Sequence, residues 1–226
     1  MTEARKIITS DFVKKFIGED NHIFYSPVDL EYIQDSFNLT GLESQVHGYR
    51  EGLNLILDKP SESKNPEDKE FAENAARELF GLIHQRFIVT DEGLHIMKKK
   101  YKLGHFGHCP RVNCNQAGLL PYSQSSIPNT STVKLVCPLC CQLYQPPKKY
   151  AKVDGAHFGQ TFATLFMFTY PREVRKIKPL SKEPYKPTIY GFELYDGVVN
   201  KPPKVLLLRK TFVQKKTQQA VEEDEM

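Results

Sequence analysis

The sequence of 226 residues contains no uninterrupted apolar run that approaches the roughly 18 residues needed to cross a membrane. Its first residues, MTEARKIITSDF, mix charged and apolar side chains and lack the apolar centre of a secretory signal. We therefore expect a protein that stays inside the cell and does not enter a membrane. Reducing conditions there disfavour disulfides, so the five cysteines need another explanation.

Short catalytic motifs are also missing from the sequence. It has no Walker loop, no kinase glycine-rich loop, no HRD or DFG motif, no HExxH and no GxSxG. A net charge of +4 is too small to indicate nucleic-acid binding unless it is concentrated in one patch. We therefore expect a protein that is not an enzyme, that has no catalytic residues and that does not have nucleic acid as its main partner.

The first hundred residues carry the pattern of amphipathic helices. Apolar residues at steps of three and four predict one helix from Leu42 to Leu57. Residues 58–70 are polar and predict a solvated loop, within which Asn65 and Pro66 mark the start of a second helix. A third helix is predicted from Thr90 to Lys102, with acidic residues first and lysines last. The buried stripe of the second helix is predicted to contain Phe71, Ala75, Leu79, Leu82, Ile83 and Phe87.

Four cysteines have the spacing of metal ligands. Cys109 and Cys114 are separated by four residues, and Cys137 and Cys140 by two, with twenty-two residues between the pairs. Zinc prefers four tetrahedral ligands and binds thiolate strongly. Four thiolates would fill its coordination shell and leave no position for substrate. The spacing therefore predicts one structural Zn²⁺ per chain.

The residues alone leave some alternatives to this metal site open. Cys141 could replace Cys140, and His105 or His108 could replace a thiolate. A thioredoxin-like redox pair at Cys137 and Cys140 would need a βαβ surround, which the segment lacks. The cysteines together with the positive charge also fit a second hypothesis, a zinc-ribbon protein that binds nucleic acid.

Composition changes along the chain predict three regions and an α+β fold. Residues 1–103 form an all-helical subdomain, residues 104–170 a small zinc-ribbon-like β domain, and residues 171–226 an extended, Pro-rich and basic tail. Within the second region, residues 158–170 (FGQTFATLFMFTY) are dense in aromatics and almost free of charge. Either the core of this chain or a second copy of it covers Phe162, Phe166 and Phe168.

Several segments, in the same order, resemble the regulatory beta subunit of casein kinase II. These are residues 31–42 (EYIQDSFNLTGL), 81–90 (GLIHQRFIVT), 104–114 (GHFGHCPRVNC), 133–140 (VKLVCPLC), 154–159 (DGAHFG) and 189–192 (IYGF). The resemblance covers roughly residues 20 to 195. Each segment is short, but the combination is specific.

The resemblance implies a non-catalytic subunit of a Ser/Thr protein kinase, found in cytoplasm and nucleus. In that family two beta chains dimerise through their zinc regions and each binds a catalytic alpha subunit, which gives an α2β2 tetramer. The dimer stabilises the kinase, tunes its activity and helps to select its substrates. Cys109, Cys114, Cys137 and Cys140 fall on the family's zinc ligands, which decides between Cys140 and Cys141.

The resemblance also gives a role to the aromatic segment near residue 190. Tyr190 and Phe192 fall on the aromatic residues of a hairpin that docks the catalytic subunit. Tyr190, Phe192 and Leu194 alternate along the sequence, so a strand would point all three side chains the same way. We therefore predict that these three residues contact the catalytic subunit.

Overall fold

Helices make up the first part of the chain, and short strands follow them. A computed structural model of the chain describes residues 7–60, 65–174 and 188–193. The chain divides into two compact units, Met1–Ser181 and Lys182–Met226. The elements are the helices α1 (Asp11–Gly18), α2 (Leu30–Gln34), α3 (Tyr49–Ile56), α4 (Pro66–Phe87), α5 (Asp91–Lys102), α6 (Phe162–Thr169) and α7 (Pro171–Val174), and the strands β1 (Leu120–Tyr122), β2 (Lys134–Val136), β3 (Leu143–Tyr144), β4 (Thr188–Ile189) and β5 (Phe192–Glu193).

The helix predicted from Leu42 begins only at Tyr49. Gly48, just before α3, is left-handed with a φ of +80°, and a residue in that conformation does not continue a right-handed helix. Leu42 and Val46 are nevertheless buried, in the turns that lead to Gly48. The predicted start of the helix was therefore wrong, although these two apolar residues still face the core.

The other two helices begin where the sequence predicts. Asn65 is the N-cap of α4 and Pro66 is its first residue. Thr90 caps α5 by accepting a hydrogen bond from the backbone N–H of Gly93, at 3.1 Å. Phe71 departs from the predicted buried stripe of α4, because its ring is 42% exposed and lies against His47 near the start of the helix. The other five residues of that stripe are buried.

A buried network joins α4 to the segment before α2 and to the 3-10 turn Gly155–His157. The backbone N–H of Ser26 donates to His84 Nε2 at 3.0 Å, so the ring proton is on Nδ1, which donates to the carbonyl of His157 at 2.8 Å. The Tyr25 hydroxyl lies 2.6 Å from His157 Nδ1. Burial lowers the pKa of His84 to about 3 and that of His157 to about 4, so both rings are neutral.

The first three strands form one antiparallel sheet in the order β1-β2-β3. Leu120 pairs with Val136, and Leu135 pairs with Tyr144. The turn that contains Cys109 and Cys114, the first cysteine turn, precedes β1. The turn that contains Cys137 and Cys140, the second cysteine turn, links β2 to β3. The sheet therefore holds both cysteine turns at one end.

The predicted boundary near residue 104 does not separate two compact units. Phe24 packs on Phe106 and Phe158, with ring centroids 5.8 and 6.4 Å apart, and Tyr25 packs on Phe158 at 5.2 Å. The helical residues and the residues of the sheet thus contribute to a single core. Composition changes near residue 104, but the hydrophobic core continues across it.

Across the residues that the structure describes, no helix combines the length and the apolar character needed to span a membrane.

The lysines at the end of α5 have partners within the fold. Lys98 and Lys102 lie 3.6 and 3.3 Å from the carboxylate of Glu173, and the Lys98 ammonium sits over the Tyr170 ring. This basic run therefore anchors α7 to α5.

Candidate metal centre

The four cysteines with metal-ligand spacing converge at one point. The Sγ atoms of Cys109, Cys114, Cys137 and Cys140 all lie within 4.8 Å of one another. The first three side chains are buried, and that of Cys140 is partly buried. The structure thus brings together the predicted ligand set, with Cys140 rather than Cys141 in the fourth position.

Backbone hydrogen bonds shape the first turn. The N–H of Cys109 donates to the carbonyl of Ala117 at 2.8 Å, and the N–H of Ala117 donates to the carbonyl of Cys114 at 3.0 Å. Asn115 and Gln116 between them are left-handed, with φ values of 47° and 54°. This tight reversal turns Cys109 and Cys114 toward the same point.

The second turn is closed in a similar way. The N–H of Cys137 donates to the carbonyl of Gln142 at 3.0 Å, and the N–H of Cys141 donates to the carbonyl of Cys137 at 2.8 Å. Cys141 has a positive φ of 55° and its side chain is exposed, outside the cluster. His105 and His108 are also outside the cluster, and His105 lies instead 3.5 Å from the Lys100 ammonium.

The thiols have unequal acidities. Burial raises the pKa of Cys137 to about 11 and also raises that of Cys114. Burial acts in the same sense on Cys140, but hydrogen bonds from the Tyr144 hydroxyl, the Gln142 backbone and the neighbouring thiols outweigh it and lower the pKa of Cys140 to about 6. A cation at the centre would favour the thiolate form of all four side chains, because thiolate is the form that binds metal.

Two tyrosines close to the predicted site, Tyr144 and Tyr101, were missed by the sequence reasoning. Tyr144 Oη lies 3.4 Å from Cys140 Sγ and 3.5 Å from Cys109 Sγ. Gly118 lets Tyr101 of α5 approach the first turn, because a Cβ on Gly118 would lie 2.8 Å from the Tyr101 ring. A tyrosine or a glycine at a given spacing from a cysteine is not a recognised signal, so only the folded backbone reveals these contacts.

The three phenylalanines predicted for the core or for an interface have different environments. Phe162 and Phe166 are 0% exposed within the chain itself, and Phe166 packs against Tyr101 and Tyr170. The core of this chain therefore covers these two residues, which is the first of the two alternatives that the sequence left open. Phe168, on the same helix, is 79% exposed.

The segment around residue 190 forms a hairpin in the second unit. β4 and β5 pair antiparallel, with Thr188 opposite Glu193 and Ile189 opposite Phe192. Tyr190 and Gly191 form the two-residue turn and both have positive φ, 50° and 86°, as a type I′ turn requires. Tyr190 therefore lies in the turn rather than in a strand, which corrects the expected alternation with Phe192. Leu194 lies outside the described residues.

Comparison with known families gives these features a context. Residues 11–193 match the sequence profile of the casein kinase II regulatory subunit, and that range includes the four cysteines and the hairpin. The chain belongs to that family. Proteins of this casein kinase II family are regulatory and non-catalytic, so the chain is a kinase regulatory subunit and not an enzyme.

Individual relatives of this regulatory subunit come from yeast and plants. Casein kinase II subunit beta of Schizosaccharomyces pombe is 43% identical over 185 residues, which cover 81% of this chain and 79% of the yeast protein. Casein kinase II subunit beta-3 of Arabidopsis thaliana is 46% identical over 82% of this chain and 68% of its own length. For the putative subunit beta-4 of the same plant the identity is 45%, over 83% of this chain and 66% of that protein.

Proposed function

We propose that this regulatory subunit binds a structural Zn²⁺, dimerises through the zinc region and docks the catalytic subunit of a casein kinase II through the residue 188–193 hairpin. In this role it stabilises the kinase, modulates its activity and affects its choice of substrates. The observation that carries the proposal is the family match, because one continuous range contains both the cysteine cluster and the hairpin.

The donor set supports zinc as the metal. Zinc–thiolate bonds of about 2.3 Å in a tetrahedron place the sulfurs about 3.8 Å apart. The Cys109 and Cys140 sulfurs are 3.9 Å apart. Four thiolates satisfy the ion completely, so in this proposal the metal fixes the two turns and takes no part in a reaction.

A dimer interface at the zinc region is supported by exposed apolar side chains there. Within residues 104–170, Val112 is 78% exposed and Phe168 is 79% exposed. Large apolar side chains that a single chain leaves in water are commonly covered in an assembly. We assign the interface to such residues and not to Phe162 or Phe166, which the chain itself buries.

Docking by the hairpin is supported by its exposed aromatic residues. Tyr190 is 98% exposed and Phe192 is 79% exposed. Aromatic side chains dominate the binding energy of many interfaces, and a tight type I′ turn fixes the backbone that presents them. The left-handed φ of Tyr190 costs some stability, which is consistent with a residue retained for binding.

The test is a titration of a casein kinase II catalytic subunit with the wild-type chain and with the double variant Tyr190→Ala/Phe192→Ala. Removal of two aromatic side chains that anchor an interface should weaken the binding free energy by at least about 2 kcal/mol. That loss corresponds to a Kd roughly thirtyfold higher. The matched control is Phe37→Ala, which removes a phenylalanine that is 81% exposed in the first unit and should leave Kd unchanged. An unchanged Kd for the double variant would refute the docking assignment.

A further inference from the structure

The hydroxyl of Tyr144 lies at the junction of the two cysteine turns. It is 3.4 Å from Cys140 Sγ, which belongs to the second turn, and 3.5 Å from Cys109 Sγ, which belongs to the first. Those two sulfurs are 3.9 Å apart. One oxygen therefore sits against the edge of the sulfur cluster at which the two turns meet.

The backbone fixes this position. Tyr144 is the last residue of β3, and its partner across the ladder is Leu135 of β2. β2 leads directly into Cys137, and the second turn returns the chain to β3 through the bond from Cys137 N–H to the Gln142 carbonyl. The Tyr144 side chain is partly buried, so its ring packs against the fold and does not move freely in solvent.

The chemistry of a metal-bound cysteine makes the Tyr144 hydroxyl a donor. A thiolate that ligates a metal has no proton and only accepts hydrogen bonds, whereas the phenol carries one O–H. Hydrogen bonds to the ligands of a metal orient them and disperse their charge, and they contribute measurably to metal affinity. Cys114 and Cys137 have no such contact with a tyrosine among the described residues.

We infer that Tyr144 is a positioning residue of the metal site: its single O–H donates to Cys140 Sγ, its oxygen lies against Cys109 Sγ, and the hydroxyl thereby holds the two cysteine turns together around the ion. This inference rests on the structural zinc proposed above. It predicts that loss of the hydroxyl weakens retention of zinc without removing any ligand. It also predicts that Cys109 and Cys140 become accessible to alkylating reagents before Cys114 and Cys137 do.

The experiment compares full-length wild type, Tyr144→Phe and Tyr122→Phe. Tyr122 lies in β1 of the same sheet and makes no hydrogen bond to a cysteine in the described part of the chain, so its variant removes a matched hydroxyl elsewhere. Zinc content is measured first, and the rate of zinc transfer to a chromogenic chelator second. We expect one zinc per chain in all three proteins and roughly tenfold faster transfer for Tyr144→Phe only.

A second readout separates a local role from general loosening of the fold. Brief alkylation with iodoacetamide, followed by peptide mass mapping, reports which thiols are released. In Tyr144→Phe we expect labelling of Cys109 and Cys140 ahead of Cys114 and Cys137.

Three outcomes, each with zinc present in the wild type, would overturn the inference and leave the zinc proposal standing. They are an unchanged transfer rate for Tyr144→Phe, equal acceleration in Tyr122→Phe, and simultaneous labelling of all four ligands. Wild-type protein without zinc would overturn the zinc proposal itself, and the inference with it. Zinc-loaded wild type with an insensitive Tyr144→Phe variant would overturn the inference alone.

Discussion

Acidification should destabilise the first unit through its buried histidines. His84 and His157 are neutral in the fold, where burial lowers their pKa values from 6.5 to about 3 and about 4. Because these folded pKa values lie below the unfolded value, the unfolded chain binds protons first as the pH falls. The stabilisation is therefore complete above pH 6.5 and is lost progressively below it, until the folded pKa values are reached.

The expected magnitude follows from the same pKa values. Each buried histidine lowers the free energy of unfolding by about 1.4 kcal/mol for every pH unit below 6.5. At pH 5 this amounts to about 2 kcal/mol per residue. The two together lower the free energy of unfolding by about 4 kcal/mol between pH 7 and pH 5, a large part of the stability of a typical domain. Burial also lowers the pKa of His22, so this residue acts in the same sense.

The assay is guanidinium unfolding followed by circular dichroism across that pH range, for wild type and for His84→Gln. The variant should reduce the slope of the unfolding free energy against pH by about 1.4 kcal/mol per pH unit. Both proteins keep the four cysteines, so any pH dependence of metal binding cancels in the difference. His157→Gln provides the same test if His84→Gln folds poorly. The control His95→Gln removes an exposed histidine and leaves the buried network intact.

Parallel plots for wild type, His84→Gln and His157→Gln would refute this account of the network. So would a wild-type protein that gains stability as the pH falls from 6.5.

Two further substitutions test how the helices are positioned. A Cβ on Gly81, in the middle of α4, would overlap the His157 ring, so Gly81→Ala should lower stability by about 3 kcal/mol in thermal unfolding. Gly18→Ala, where a Cβ meets nothing within 4 Å, is its control, and equal melting temperatures for the two variants would contradict the reasoning. Thr90→Ala should lower the free energy of unfolding by about 1 kcal/mol in chemical denaturation, because it removes the cap of α5. Thr90→Ser keeps a hydroxyl at the cap and should retain most of that stability.

Local chemistry could be predicted from the sequence where one residue type decides the outcome. Pro66 and Thr90 mark helix starts because a proline lacks a backbone N–H and a threonine side chain can accept a hydrogen bond from one. Cysteine spacing predicted the sulfur cluster because few residue types bind zinc. Gly48 was overlooked because apolar periodicity continued through it, although its left-handed backbone ends any helix that precedes it.

The remaining features depend on contacts between distant residues. The change in composition at residue 104 suggested a domain boundary, but Phe24, Tyr25 and His84 pack against residues 106, 157 and 158 and join the two regions in one core. Tyr144 approaches the sulfurs only because β3 pairs with β2. Alternation predicted a strand through Tyr190, whereas the adjacent Gly191 permits the two-residue turn that contains it.

The most direct test of the proposed role of zinc is the mass of the purified chain in solution, measured together with its zinc content, before and after treatment with a chelator. We predict a particle of twice the 26.0 kDa chain mass that contains one zinc per chain. Chelation should remove the metal and dissociate the dimer, because in this proposal the ion holds the two cysteine turns in place. A monomer that retains one zinc per chain would contradict the proposal that the metal organises a dimer.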